Sequence, residues 1–171
     1  LTNNSKLAKK ARYLTTQAKD DPIYFVHNNV GYNYRMSNIS AALGLSQLKQ
    51  LNYFLKRKEL IRNFYVSKIS KIKNLELAKT PEYSKNNNWL NILKINKKFK
   101  YSRNQLINKM IQNNISVRPV WKLNHLQKPF KKFQHYKIKN AIKLVKSSLC
   151  LPSSPSLTQK ELKKIFLKLS A

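Results

Sequence analysis

The chain has 171 residues, with 35 Lys or Arg against six Asp or Glu, for a formal net charge of +29. At 42% hydrophobic and 11% aromatic residues the composition is not that of a disordered chain, and a compact domain of this length buries about 70% of its unfolded surface. No apolar run approaches the ~20 residues of a membrane-crossing helix, no secretory signal is visible, and the single cysteine, Cys150, excludes an internal disulfide and a cysteine-rich zinc site.

The opening "LTNNSKLAKKARYL" reads like the middle of a protein, and a fragment is expected. Asn4 or Ser5 can cap a helix with Leu7, Ala8, Ala11 and Leu14 on one face. The stretch "DDPIYFVHNNVGYNYR" is too aromatic for a flexible linker and is expected to be an ordered loop, with Tyr24, Phe25, Tyr32 and Tyr34 packed. Ser37 or Asn38 then caps a long helix. Its apolar residues, from Ile39, Ala42 and Leu43 through Ile61, Phe64 and Tyr65 to Ile72, keep close to helical period for about ten turns.

After a polar connection, "WLNILKI" is a strand candidate. Ser102 with Gln105 forms a capping box that opens a short helix. "ISVRPVW" reads as a second strand, "HYKIKNAIKLVKSS" as an amphipathic helix and "LCLP" as a third strand stopped by Pro152. Thr158 and Glu161 form a further capping box before the closing helix "QKELKKIFLKL". There is no internal repeat, and the latter half reads as a small α+β unit.

The stretch "GYNYRMSNISAALGLSQL", Gly31 to Leu48, carries the chemistry. Gly31 lets the backbone turn where a side chain would clash. Asn33 offers an amide donor and Arg35 a fixed fork of donors. Ser37 and the free N–H groups of a helix start add to a potential anion site. Ser40, Ala41, Ala42 and Gly44 would allow close approach. The stretch suits a phosphate; an ordinary loop and helix cap would use the same residues.

These residues resemble a signature of the DegT/StrS-type sugar-nucleotide aminotransferases, pyridoxal phosphate (PLP) enzymes of fold type I. The matching positions are Gly31, Tyr32, Asn33, Arg35, Ala41, Ala42, Gly44, Gln47 and Leu48. "VRPVWKLNHLQKPF" is similar to the family segment that helps line the sugar-nucleotide pocket, and "LCLPSSPSLTQKEL" to its closing strand, proline loop and last helix. The wording "RPVWK" and "LPSS" is most similar to members acting on UDP-linked 4-keto-6-deoxy amino sugars of the bacillosamine or legionaminic acid type.

The resemblance implies an α/β PLP-transferase fold of type I, represented by a C-terminal fragment. Residues 1–52 would be the end of the large PLP-binding domain with its cofactor-contacting loop. Residues 53–171 would be a bridging helix and the small α+β C-terminal domain. It implies a homodimer whose active sites are shared between chains, with Asn33, and more loosely Arg35, at the PLP phosphate. Arg118, Trp121, His125 and His27 would bind substrate. The reaction implied is transfer of an amino group, from glutamate, to the C4 keto group of a nucleotide-activated sugar, in cytoplasmic synthesis of cell-surface polysaccharide. The lysine that holds PLP as a Schiff base is expected upstream of Leu1, so no catalytic residue is assigned here and the chain alone is not expected to transaminate.

Residue by residue, other roles stay open. His27 is as well explained as a surface or interface residue, and Trp121 as core. His135 has no supporting context and reads as leading into a helix. The three histidines are scattered and no metal site is expected. Cys150 is most simply a buried small hydrophobe.

The charge by itself favours a different class, a basic module for nucleic acid or an anionic surface. Its make-up argues against that. It is mostly Lys, whereas nucleic-acid readers lean on Arg for bidentate contacts. It is spread along the whole chain beside abundant Asn and Ile, residues of A/T-rich codons. Neither a nucleic-acid nor a membrane partner is expected, and a phosphate-bearing small ligand would meet a favourable field.

Overall fold

Asn4 begins helix α1 (Ser5–Thr15), its side chain accepting the Leu7 N–H at 3.1 Å. This satisfies one of the donors that a helix start leaves unpaired. The computed structural model describes residues 1–21 and 23–170; Pro22, inside the predicted loop, and Ala171, at the end of the predicted second domain, lie outside the described residues. The chain forms two units, Leu1–Gln50 and Leu51–Ala171.

In the first unit no residue of α1 is buried. After α1 the chain turns through Gln17 and Ala18, both left-handed at φ 69° and 48°, and Ala18 is fully buried. The returning segment is stitched back onto this turn. Tyr32 N–H donates to the Leu14 carbonyl (2.8 Å), Tyr34 N–H to Thr15 (3.0 Å) and Gln17 N–H to Tyr32 (3.1 Å). Short antiparallel bridges join Thr16 to Asn33 and Asp21 to Val26. The loop is therefore ordered by its own backbone. Its aromatic rings are not packed as expected: Tyr24 is 79% exposed, and Phe25, Tyr32 and Tyr34 are exposed as well. Tyr32 and Tyr34 stack on each other with centroids 5.5 Å apart.

Helix α2 (Asn38–Lys49) is capped by Ser37, which accepts the Ser40 N–H at 3.2 Å. The single ten-turn helix read from the sequence is instead two. Gln50 leaves the α region at φ −96°, ψ 0°, and its N–H closes a tight turn onto Gln47 and Leu48. Helix α3 (Leu51–Ile69) then begins afresh. No residue of α2 is buried. From Ile61 the step of four to Tyr65 and Ile69 is regular, and these are the residues α3 buries.

The second unit is built on one antiparallel sheet in the order β1-β2-β4-β3, from β1 (Leu75–Leu77), β2 (Asn91–Ile95), β3 (Arg118–Pro119) and β4 (Ser148–Leu151). Leu75, Leu77, Leu93, Ile95, Leu149 and Leu151 form a core with side chains of α3, of α4 (Arg103–Gln112) and of α6 (Gln159–Ser170). Helix α5 (Lys139–Ser147) lies against β2 and β4. Both expected capping boxes are present: Ser102 with Gln105 opens α4, and Thr158 with Glu161 opens α6.

Two strand expectations are corrected. "ISVRPVW" pairs only over Arg118–Pro119, because Pro119 has no N–H for a ladder and sits on an edge strand, where proline is tolerated. The strand read from Trp89 begins at Asn91, leaving Trp89 exposed. The short β1 lies in the stretch read only as a connection; its alternation of buried, exposed and buried residues is a strand signature three residues long.

Candidate functional site

Gly31 sits where the returning segment crosses the Gln17–Ala18 turn. A Cβ on Gly31 would meet the Gln17 carbonyl carbon and the Ala18 nitrogen, and would lie 2.7 Å from the Ala18 Cβ. Its φ is not positive, so glycine is needed here for close backbone approach rather than for a left-handed turn. Two residues on, Asn33 turns its Oδ1 toward the Arg35 N–H at 3.4 Å. Both residues are exposed, and neither the Asn33 amide nitrogen nor the Arg35 guanidinium has a partner among the described residues. Ser37 and the start of α2 follow at once. This is a set of unpaired donors held by a rigid turn. It suits an anion such as a phosphate monoester.

His27 lies in the same loop. Its Nδ1 is 2.8 Å from the Gln17 carbonyl oxygen, which makes Nδ1 the donor and leaves Nε2 open. Asp20 anchors the loop: it accepts the Asn28 N–H (2.7 Å) and the Tyr13 hydroxyl (2.9 Å), and these bonds hold its carboxyl below the usual carboxylate range.

In the second unit, the segment after β3 and the approach to α5 enclose a cleft of about 660 Å³. Trp121, Lys122, His125, Phe130, Phe133 and His135 are on its walls. One-turn 3₁₀ helices at Asn124–Leu126 and Lys128–Phe130 shape it. Trp121 is 61% exposed, not core, and lies against Trp89 with centroids 6.1 Å apart. Arg118 is exposed on β3 and is not one of the wall residues. The structure thus brings Trp121 and His125 into one cleft, and sets beside them two residues that the sequence did not single out as partners, His135 on the cleft wall and Trp89 against the Trp121 ring. Trp89 comes from the connection before β2. His135 stacks on His125 at 5.0 Å between centroids and 25° between planes.

The two segments can be compared with known proteins. The sequence pattern of the DegT/DnrJ/EryC1/StrS aminotransferase family matches residues 1–170. The chain belongs to this family. It is 28% identical over 172 residues to a GDP-perosamine synthase of Caulobacter vibrioides, covering 98% of this chain and 46% of the relative. It is 29% identical over 135 residues to the UDP-4-amino-4,6-dideoxy-N-acetyl-beta-L-altrosamine transaminase of Campylobacter jejuni, covering 78% of this chain and 36% of the relative. Its fold is similar to that of Helicobacter pylori PseC, an aminotransferase involved in the biosynthesis of pseudoaminic acid, with a TM-score of 0.80 and 20% identity over 98% of this chain and 45% of PseC. The chain spans less than half the length of these relatives.

In this DegT/StrS-family chain the proline loop after β4 is fixed by side chains that sequence reasoning missed. Arg57 donates to the Pro155 (3.2 Å) and Leu157 (2.6 Å) carbonyls. Lys58 donates to Ser153 (2.6 Å) and Trp89 (3.2 Å). The Tyr65 hydroxyl donates to Pro152 (2.8 Å), and Asn91 Nδ2 to the Ser153 hydroxyl (2.9 Å). Burial lowers the pKa of Lys58 and raises that of Tyr65. Lys58 thereby ties the Trp89 backbone, and with it one ring of the tryptophan pair, to the proline loop. Asn91 Oδ1 is buried and has no partner among the described residues.

Proposed function

We propose that this chain is the C-terminal part of a PLP-dependent aminotransferase that moves an amino group, from glutamate, to the C4 keto group of a nucleotide-activated sugar. The observation that carries the proposal is the family match over residues 1–170. Relatives named for GDP- and UDP-linked amino sugars support the substrate class. The enzyme works as a cytoplasmic homodimer in the synthesis of cell-surface glycans, and the 171-residue chain alone is inactive.

PLP, when bound, supplies the electron sink for amino transfer. The residues present fit its phosphate: unpaired donors on Asn33 and Arg35 stand just ahead of the α2 start. Asn33 Nδ2 would donate to the PLP phosphate of the partner subunit, and Arg35 would offset its charge. Gly31 lets this loop lie close enough on the Gln17–Ala18 turn to hold its shape. His27 presents Nε2 toward substrate, its ring oriented by the Gln17 carbonyl. Trp121 offers a flat face to the nucleotide with His125 on the same cleft wall, while Arg118, on β3 outside that wall, is a further substrate-binding residue.

The test begins with the coding DNA upstream of Leu1. An open frame carrying a lysine in a glycine-rich setting is expected. The protein from that frame should bind PLP and form 2-oxoglutarate from glutamate when given a UDP-4-keto-6-deoxy sugar. Asn33→Ala should weaken PLP binding by about 10-fold, in line with loss of one hydrogen bond to a charged group. A start codon at Leu1, or an intact protein that neither binds PLP nor consumes glutamate, refutes the proposal.

A further inference from the structure

The chain's two tryptophans, Trp89 and Trp121, lie against each other with centroids 6.1 Å apart and planes at 34°. Core packing does not place them: Trp89 is 63% exposed and Trp121 61%. Trp121 stands on the wall of the cleft after β3, and Trp89 comes from the connection before β2. Two large rings that bury so little area gain little to offset the entropy lost in ordering them. Their pairing therefore depends on how the backbone beneath them is held.

The Trp89 backbone is held at two atoms. Its N–H donates to the Asn87 side chain at 3.0 Å, within the same loop. Its carbonyl accepts from Lys58 Nζ of α3 at 3.2 Å, the one hydrogen bond of Trp89 that leaves the loop among the described residues. The neighbouring link, from the Ser153 hydroxyl to the Asn88 carbonyl, is long at 3.4 Å. The same Lys58 ammonium donates to the Ser153 carbonyl at 2.6 Å, and so stands on the proline loop after β4. That loop has anchors of its own: the Tyr65 hydroxyl at Pro152, Arg57 at Pro155 and Leu157, and Asn91 Nδ2 at the Ser153 hydroxyl. Lys58 is half-buried, and both of its bonds are charge-assisted. The proline loop can stay in place without Lys58, whereas Trp89 has no comparable second hold.

We propose that Lys58 is a positioning residue, which acts through the Trp89 carbonyl to set the Trp89 ring against Trp121 and so keeps the Trp121 face turned into the cleft. The link from Lys58 to the tryptophan pair rests on the geometry; that Trp121 meets substrate rests on the aminotransferase reading above. Without its partner ring, an exposed indole pivots and presents its face for part of the time. A face presented for part of the time binds more weakly in that proportion. Lys58 thus bears on substrate affinity from α3, through two rings and with no contact of its own.

Circular dichroism reads the pair directly, because two indoles this close couple their transitions and a single indole cannot. The spectrum of the native protein minus that of Trp89→Phe isolates the coupled signal. Lys58→Met keeps the aliphatic stem and removes the donors, and should lose most of that signal. Lys58→Gln, whose amide is too short to span both carbonyls, should lose it as well. Lys58→Arg should recover it, since a guanidinium can bridge two carbonyls as Arg57 does at Pro155 and Leu157. Arg57→Met is the control for general loosening: it should lower the urea midpoint as Lys58→Met does, yet keep the coupled signal. In the protein from the upstream frame, Lys58→Met should raise KM for a UDP-4-keto-6-deoxy sugar about 5- to 10-fold with kcat little changed, the pattern of lost ground-state binding worth one hydrogen bond. Lys58→Arg should restore KM. A coupled signal that is absent from the native protein, that survives in Lys58→Met, or that falls equally in Arg57→Met overturns the inference and leaves the aminotransferase reading standing. Unchanged KM in an active Lys58→Met enzyme does the same. An intact native protein that forms no 2-oxoglutarate from glutamate overturns that reading, and the role of Lys58 toward substrate with it.

Discussion

Replacing Gly31 with alanine sets one methyl group against the backbone of the Gln17–Ala18 turn. The atoms it would meet are the Ala18 nitrogen, the Gln17 carbonyl carbon and the Ala18 Cβ at 2.7 Å. None is the far end of a flexible side chain. Gln17 and Ala18 already hold left-handed backbone angles, and Ala18 is fully buried, so the turn has little freedom to yield. Overpacking of this kind costs about 1–3 kcal/mol. The strain falls on the bonds that close the loop: Tyr32 N–H to Leu14, Tyr34 N–H to Thr15 and Gln17 N–H to Tyr32. Amide hydrogen exchange reads that cost directly. Protection of the Tyr32, Tyr34 and Gln17 amides should fall by about 5- to 150-fold, the equivalent of that energy range. Gly44→Ala is the control. A Cβ there meets nothing within 4 Å and lies inside α2, so alanine should stabilise the helix by about 0.5–1 kcal/mol. Unchanged exchange at all three loop amides in Gly31→Ala would show that the turn is not set by this contact.

In urea unfolding, Tyr65→Phe should lose about 1–2 kcal/mol, because the ring stays buried while the Pro152 carbonyl loses its 2.8 Å donor; an unchanged midpoint would remove the hydroxyl from the account of the proline loop. The Thr158 N–H, and after it the Thr158 hydroxyl, lowers the Glu161 carboxyl below its ordinary value. The stabilisation from this capping box is therefore complete above the unfolded carboxylate pKa and is lost as pH falls through the lower folded one. Glu161→Gln should remove that acid-side dependence from thermal melts, and an identical pH profile would contradict the cap. Burial raises the Cys150 thiol pKa, so a disulfide reagent near neutral pH should label it slowly in the native chain and rapidly in urea; rapid labelling without denaturant would place Cys150 at the surface.

The features legible in the sequence are those whose physics is local. Asn4, Ser37, Ser102 with Gln105, and Thr158 with Glu161 act within three residues, and each is found capping its helix. Cys150 in its apolar run is buried in β4. The break at Gln50 left no such local signal, with no glycine or proline beside it to mark it. Pairings across the fold left no sequence trace. Trp89 and Trp121 meet because β2 and β3 both flank β4. His135 meets His125 because the chain folds back over two 3₁₀ turns. The donors on α3 were hidden for another reason: their partners are backbone carbonyls, which every residue type possesses.

Those carbonyl partners also explain how so basic a chain supports a compact second unit. With six carboxylates for 35 Lys and Arg, ion pairs cannot be the general means of holding cations in place, and Lys94–Glu76 is the ion pair found among the described residues. Arg57, Lys58, Arg62 and Arg103 instead donate to main-chain oxygens of Pro155, Leu157, Ser153, Trp89, Ala78 and Val145. A carbonyl satisfies the donor without cancelling its charge. Burial accordingly lowers the pKa of Lys58 and Arg62. The cations fix the proline loop and the backs of the strands as hydrogen-bond donors, while their field still reaches solvent. The same use of a carbonyl in place of a carboxylate leaves Arg103 uncancelled where it donates to Val145, a residue of the cleft wall that also holds Lys122.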